Sequence, residues 1–338
     1  MTQIKLSVLD QSVIRTGSTV RDTMLETMAL AQLADQLGYS RFWVSEHHNI
    51  ATIAGSTPEV LLAFLSAHTQ HIRLGSAGVM LPNHSSLKVA ENFRMLEALA
   101  PGRIDLGVGR APGGDRLTSR ILNPQNTFSD KDFVQQIMDL QHFLTDNAPE
   151  GTLYEKVKAM PQTETAPPIW LLTSSGGSAS VASHFGTALS FAHFINPSGG
   201  PEVVHQYRKE FKPSATLAAP LANFGIFAFT SESPETVERW QTIMDYRLMQ
   251  IERGRDTALP SYEEIRDMEY MPDEQLRVNY NRRRMVCGSP EEVKAKITAM
   301  CETYEVDEAV ISTIAENQDE RMESFRLLAK VFGLQARN

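Results

Sequence analysis

Three short stretches hold side chains that could do chemistry together. Glu46-His47-His48 follows the apolar run 41–45. Neighbouring residues leaving a strand point to opposite sides, so these two histidines do not suit one metal ion. The metalloprotease spacing HExxH is absent, and so is an HxH pair. His47 suits a general base or a hydrogen-bond donor to a small ligand, its tautomer set by a neighbour. Taken alone, it suits a histidine satisfied inside the barrel better. The second stretch is Ser174-Ser175-Gly176-Gly177-Ser178, between an apolar run and a segment bearing Val181, Ala182 and Phe185. Hydroxyls, free backbone N–H groups and a helix dipole would make an anion site there, and the glycines allow close approach. A plain turn with an N-cap serine has the same composition. The third is Arg110, which ends another apolar run with only Asp115 as an obvious nearby carboxylate. That favours a phosphate partner, although an exposed structural arginine fits as well.

Other motifs fail on their spacing. Gly107-Val108-Gly109-Arg110-Ala111-Pro112-Gly113 half-matches a dinucleotide fingerprint, but Pro112 and the late glycine spoil the helix start. There is no GxxxxGK[ST] loop and no GxSxG elbow. Arg282-Arg283-Arg284 reads as a solvated charged face.

The elements that must position these residues alternate along the chain. Segments 4–9, 41–45, 72–80, 104–108, 169–172, 188–194, 224–230 and 308–314 read as strands, and the apolar runs 169–172, 188–194 and 224–230 suit burial on both faces. Helical patterns lie between them. Val20, Met24, Met28, Ala31 and Ala34 share one face of 19–38, with Gly38 as the stop. Thr57-Pro58-Glu59 marks another start, with Thr57 as N-cap, and Ser289-Pro290-Glu291-Glu292 a third. The last helix carries Met322, Phe325, Leu328 and Ala329. Eight strands with helices between them predict an α/β protein, a (β/α)8 TIM barrel, with a doubly wound sheet as the alternative. The barrel spans 1–338 as a single domain. Insertions at 111–165 and 245–285 exceed a barrel's needs and would cover its mouth. In a barrel, Asp10, Glu46–His48, Ser76–Gly78, Gly109–Arg110, Ser174–Ser175, His193 and Thr313 would converge on that mouth.

Composition excludes several classes of function. The chain has 338 residues, 32 basic and 41 acidic, a net charge of −9. No basic stripe is present to neutralise phosphates, so nucleic acid is not an expected partner. No apolar run reaches the roughly 18 residues of a membrane span. The first residues lack a signal-peptide pattern, and two cysteines make no disulfide framework. A cytoplasmic enzyme is expected.

Five blocks then carry a recognisable pattern. Residues 42–48 (FWVSEHH), 74–82 (LGSAGVMLP), 101–110 (PGRIDLGVGR), 168–175 (PIWLLTSS) and 288–293 (GSPEEV) resemble the bacterial luciferase-like family of flavin monooxygenases, in its single-gene, non-luminescent branch. The resemblance implies a barrel that binds reduced FMN at its mouth. It places the catalytic histidine at His47 and a non-proline cis peptide, lying against the flavin ring, at Ala77–Gly78. It assigns phosphate contacts to Arg110, Ser174, Ser175 and Ser178. Ser174 stands where luciferase has a carboxylate, and Gly109 where it has a reactive cysteine. The implied reaction is monooxygenation of a small organic substrate, of the aldehyde or ketone class, with dioxygen. Reduced flavin would come from a separate flavin reductase, and the protein would be a homodimer. A deazaflavin-dependent hydride transferase and a flavin-binding protein without catalysis are the alternatives the resemblance leaves, with a metal-dependent hydrolase more distant.

Overall fold

A computed structural model describes residues 3–111 and 113–337; Pro112 lies outside them. Its sheet contains β1 (Lys5–Asp10), β2 (Arg41–Val44), β3 (Arg73–Ser76), β4 (Val79–Met80), β5 (Ile104–Gly109), β6 (Ile169–Thr173), β7 (Ala188–Ala192), β8 (Ala222–Thr230), β9 (Met285–Gly288) and β10 (Glu308–Ser312). Every pairing is parallel, and β1 pairs with β2 on one side and β10 on the other. Pairing of β10 with β8 closes the ring. The circuit β1-β2-β3-β5-β6-β7-β8-β10 is therefore an eight-stranded (β/α)8 barrel. Strand residues facing outward, such as Leu106, Leu171, Phe191 and Phe224, pack under the ring of helices.

Two strand predictions need correction. The run 72–80 is not continuous: its first part, β3, pairs with the start of β5, and β4 pairs with the end of β5. Between them the Ala77–Gly78 peptide is cis. The extra strand, β9, was not foreseen and extends the sheet beside the upper half of β8. It directly follows Arg282-Arg283-Arg284, of which Arg282 and Arg283 are exposed, as a solvated face requires, and only Arg284 departs from that reading. Arg284 is buried and donates to Phe194 O at 2.6 Å, and Arg282 pairs with the buried Asp245 at 2.7 Å.

The helices begin and end where their caps dictate. Val20–Leu37 opens on a capping box between Thr19 and Asp22 and closes on Gly38 at φ 85°. A side chain at Gly38 would collide with Gln335 O, 2.1 Å from the Cβ position. Its buried face runs through Thr23, Thr27, Leu30, Ala31 and Ala34, one step round from the anticipated stripe, and leaves Val20 exposed. Thr57 does occupy an N-cap position with Pro58 behind it, but its hydroxyl makes no cap bond.

Both excursions differ in extent from the sequence reading. In the first, Asp130–Thr145 buries Phe133, Ile137 and Leu140 and serves as an ordinary barrel helix. Only about 110–130, including the helix Arg116–Leu122, reaches the mouth. The second leaves the barrel at Thr230 rather than 245. Its helix Pro234–Glu252 packs Trp240, Ile243, Met244 and Leu248 on Phe227 and Phe229. Asp256 then accepts hydrogen bonds from Ala51 N and Thr52, which braces the loop after β2. Among the described residues, no helix is long and apolar enough to cross a membrane.

Candidate active site

A cavity of about 1160 Å³ opens at the C-terminal ends of the strands. His47, Ala77, Arg110, Ser174, Ser175 and Ser178 all line it, contributed from four separate βα connections. Gly78 lies just behind the wall. A side chain there would meet Leu172 Cδ1 at 2.5 Å and Gly107 O at 2.8 Å, so glycine is required where these backbones close together. Asp10, His193 and Thr313 also sit at strand ends but turn away. Asp10 pairs with Arg321, His193 contacts Tyr304 Oη at 2.8 Å, and Thr313 donates to Ala228 O.

His47 and His48 diverge as strand geometry requires. His47 Nδ1 lies 3.1 Å from Ser45 Oγ, and its backbone N–H donates to Gly55 O. Nε2 has no hydrogen-bond partner among the described residues and belongs to a ring lining the cavity. Burial pushes the His47 imidazole down to about 4, with His48 and Arg247 adding to the depression and Glu46 opposing it. His47 is thus neutral at pH 7, with a nitrogen able to take a proton.

His48 instead enters a buried clamp that sequence reading missed. His48 Nε2 and His84 Nε2 both donate to Glu46 Oε1, at 2.6 and 2.7 Å, and Met80 N donates to Oε2 at 3.0 Å. His48 N also donates to Gly113 O at 2.9 Å. Glu46 therefore ties the turn after β2 to β4 and the turn that follows it, and His48 adds the loop after β5. Burial alone would raise its carboxyl, but the two imidazole hydrogen bonds outweigh that and hold it at about 2. His84 loses by burial and gains more from Glu46, so it is raised. The three donor atoms lie within 4.8 Å of one another, a spacing metal ligands also use. Here two imidazoles converge on one oxygen at hydrogen-bond length, which is complete without an ion. No local signal in the sequence joins His84 to Glu46.

The serine turn has the features of a cradle rather than of a plain cap. Ser175 is the N-cap of the helix Gly176–Phe185, yet its hydroxyl makes no cap bond. Among the described residues, the hydroxyls of Ser174, Ser175 and Ser178 have no protein partner; Thr173 Oγ1 and Asn196 Nδ2 bond only the turn's backbone. Arg110 closes the same wall: a side chain at Gly177 would stand 3.9 Å from Arg110 Nη1. The partner of Arg110 is not Asp115 but the exposed Asp130. Asp115 instead caps Arg116–Leu122 and accepts from Asn49.

Comparison with known proteins agrees with this architecture. The crystal structure of apo-MsnO8 superposes with a TM-score of 0.91 at 33% identity, covering 99% of both chains. The protein YwcH of Bacillus subtilis is 44% identical over 330 residues, 97% of this chain and 99% of that one. An N-acetyl-S-alkylcysteine monooxygenase of the same organism is 38% identical over 330 residues, 96% and 97% of the two chains. A family model for luciferase-like monooxygenases matches residues 4–306, and the chain belongs to that family.

Proposed function

We propose that this protein is an FMN-dependent monooxygenase acting on a small organic substrate. The observation that carries the proposal is the convergence of His47, Ala77, Arg110 and the Ser174–Ser178 turn on one large cavity. The donor set fits a phosphate-bearing flavin. Three unpartnered hydroxyls, the first N–H groups of Gly176–Phe185 and a guanidinium suit a dianion, and Gly176 and Gly177 leave room for it. Binding would break the exposed Arg110–Asp130 pair, whose loss costs little. Arg110, Ser174, Ser175 and Ser178 would hold the phosphate, and Ala77 and Gly78 would back the ring.

Reduced FMN, when bound, supplies the two electrons that activate dioxygen. One oxygen atom enters the substrate and the other leaves as water. His47 Nε2 would take or return the proton at the reacting edge, oriented by Ser45 Oγ. The segment 110–130 would exclude water, since it forms one side of the cavity. The 245–285 excursion contributes no lining residue among those described and acts as a brace. The chain has no complete dinucleotide fingerprint, so we assign flavin reduction to a separate reductase. Exposed Val60, Phe64, Met95 and Leu99 on the adjacent helices Pro58–Ser66 and Ser86–Leu99 support a homodimer. Met24 and Met28, half-buried against the core, do not form such a face. Sedimentation as a monomer at micromolar concentration would remove the dimer from the proposal.

Turnover under labelled dioxygen tests the reaction. Aldehydes, ketones and N-acetyl-S-alkylcysteines are the first substrates to supply, the last because of the relative that bears their name. One labelled oxygen per product supports the monooxygenase. Oxidation without label, proceeding anaerobically with a deazaflavin, would establish the hydride transferase instead.

A further inference from the structure

The barrel strands present an uncharged wall to the mouth cavity, made by Leu9, Trp43, Leu172, Phe194, Gly225 and Val310. Phe194 covers the β8 side of that wall, since a Cβ at Gly225 would stand 2.6 Å from its ring. Gln11 lines the same cavity, and its carboxamide has no hydrogen-bond partner among the described residues. Its direction follows from β1. Leu9 faces the cavity and Asp10 turns away to Arg321, so strand alternation returns Gln11 to the inner face. The pairing of Leu9 with Trp43 and Asp10 with Val44 continues to Gln11 and Ser45, and the Ser45 hydroxyl lies 3.1 Å from His47 Nδ1. Gln11 and His47 therefore leave neighbouring strand ends. The backbone around Gln11 is pinned: Ser12 N donates to Asp10 Oδ1 at 2.9 Å, Ser12 takes φ 50°, and its hydroxyl lies 3.1 Å from Thr27 Oγ1. A side chain with fixed flanks and no partner of its own is preorganised for a ligand. One amide placed in an apolar wall is also how a pocket fixes a ligand's orientation.

We propose that Gln11 Nε2 donates a hydrogen bond to a carbonyl oxygen of the substrate, and that the part of the substrate reaching His47 is uncharged, with an apolar body against the strand wall. This rests on the flavin reading, which puts the reacting edge beside His47, and it narrows the substrate class. An ionised group pressed against this wall would be desolvated without a counter-charge. A carbonyl needs only one donor there, and Gln11 supplies it.

The test pairs 4-phenylbutan-2-one with 2-methyl-4-phenylbut-1-ene, in which a methylene replaces the carbonyl oxygen. Both are titrated calorimetrically into the native protein, Gln11→Met and Gln11→Glu, with and without FMN. Each variant keeps the length of the side chain and removes the donor. The ketone should bind the native protein, and both variants should lose about three- to tenfold in affinity for it. The alkene should bind all three proteins alike, which also shows that the variants keep the cavity. With the ketone isotope-labelled at its carbonyl, the infrared stretch should lie lower in the native complex than in the Gln11→Met complex, a difference that a merely structural role would not produce. A ketone that fails to bind, a ketone affinity unchanged in both variants, equal losses of ketone and alkene, or a stretch that does not move overturns the proposal. Failure of the native protein to bind FMN strikes the flavin reading alone, because the ketone–alkene difference is read on the unloaded protein as well.

Discussion

The two ends of the barrel treat charge in opposite ways. At the N-terminal end Arg41 bonds Asp105 at 2.7 Å and Glu308 at 2.9 Å, and Arg73 bonds the other oxygen of Asp105 at 2.7 Å. Ser7 and Trp43 donate to the same Glu308 and Asp105 oxygens that Arg41 bonds, and the Arg41 guanidinium lies 4.7 Å over Trp170. At the C-terminal end Arg110 has one exposed partner, Arg116 and Arg120 have none among the described residues, and three serine hydroxyls stay unbonded. Groups with every partner supplied internally hold the fold. Groups left short of partners in a cavity are available to a ligand.

The sharpest break in that contrast is expected at the floor. Asp105→Ala leaves the half-buried Arg41 and Arg73 without the buried carboxylate they share and should cost about 3 kcal/mol of unfolding free energy by denaturant titration. Arg110→Ala, by the same measurement, should change it by less than about 1 kcal/mol. Comparable losses would end the distinction between the two ends. His47→Ala should slow turnover by about 10²–10⁴-fold, the usual span for a proton-transfer group, while flavin affinity changes by less than threefold in a fluorescence titration. Unimpaired turnover would take His47 out of the chemistry.

A smaller effect concerns pH. The folded imidazole of His47 is held down to about 4, below its ordinary 6.5. Between those values the unfolded chain binds a proton that the folded chain refuses, so stability falls as pH drops. The contribution is complete above 6.5 and should amount to about 1–2 kcal/mol lost by pH 5. His84, raised by Glu46, acts in the other sense: its contribution is present below 6.5 and fades as pH climbs through its folded value. Unfolding titrations of His47→Gln from pH 7.5 to 5 should show a flatter acid limb than the native protein. An unchanged slope would mean that His47 is protonated as readily in the fold as outside it.

Much of the barrel was legible because its parallel strands are buried on both faces and so appear as apolar runs. β9 escaped because it is four residues long and adjoins three arginines, whose charge hides that Arg284 is buried. The break between β3 and β4 escaped because both halves are apolar, and only the pairing with β5 separates them. The family pattern led to His47 and the serine turn, since each lies in a contiguous block. The clamp on Glu46 was invisible: His84 is 38 residues away and reaches it only through the turn after β4. The partner of Arg110 was misjudged for the same reason, because Asp115 is nearer in sequence but is used as a helix cap.

The central claim is that the unpaired groups at the mouth hold a flavin phosphate. Anaerobic titration of the native protein and Arg110→Ala with reduced FMN and reduced riboflavin tests it most directly. FMN should bind the native protein well ahead of riboflavin, and the variant should lose about ten- to hundredfold in FMN affinity with riboflavin almost unaffected. Equal affinity for the two flavins, or equal loss of both in the variant, would contradict it.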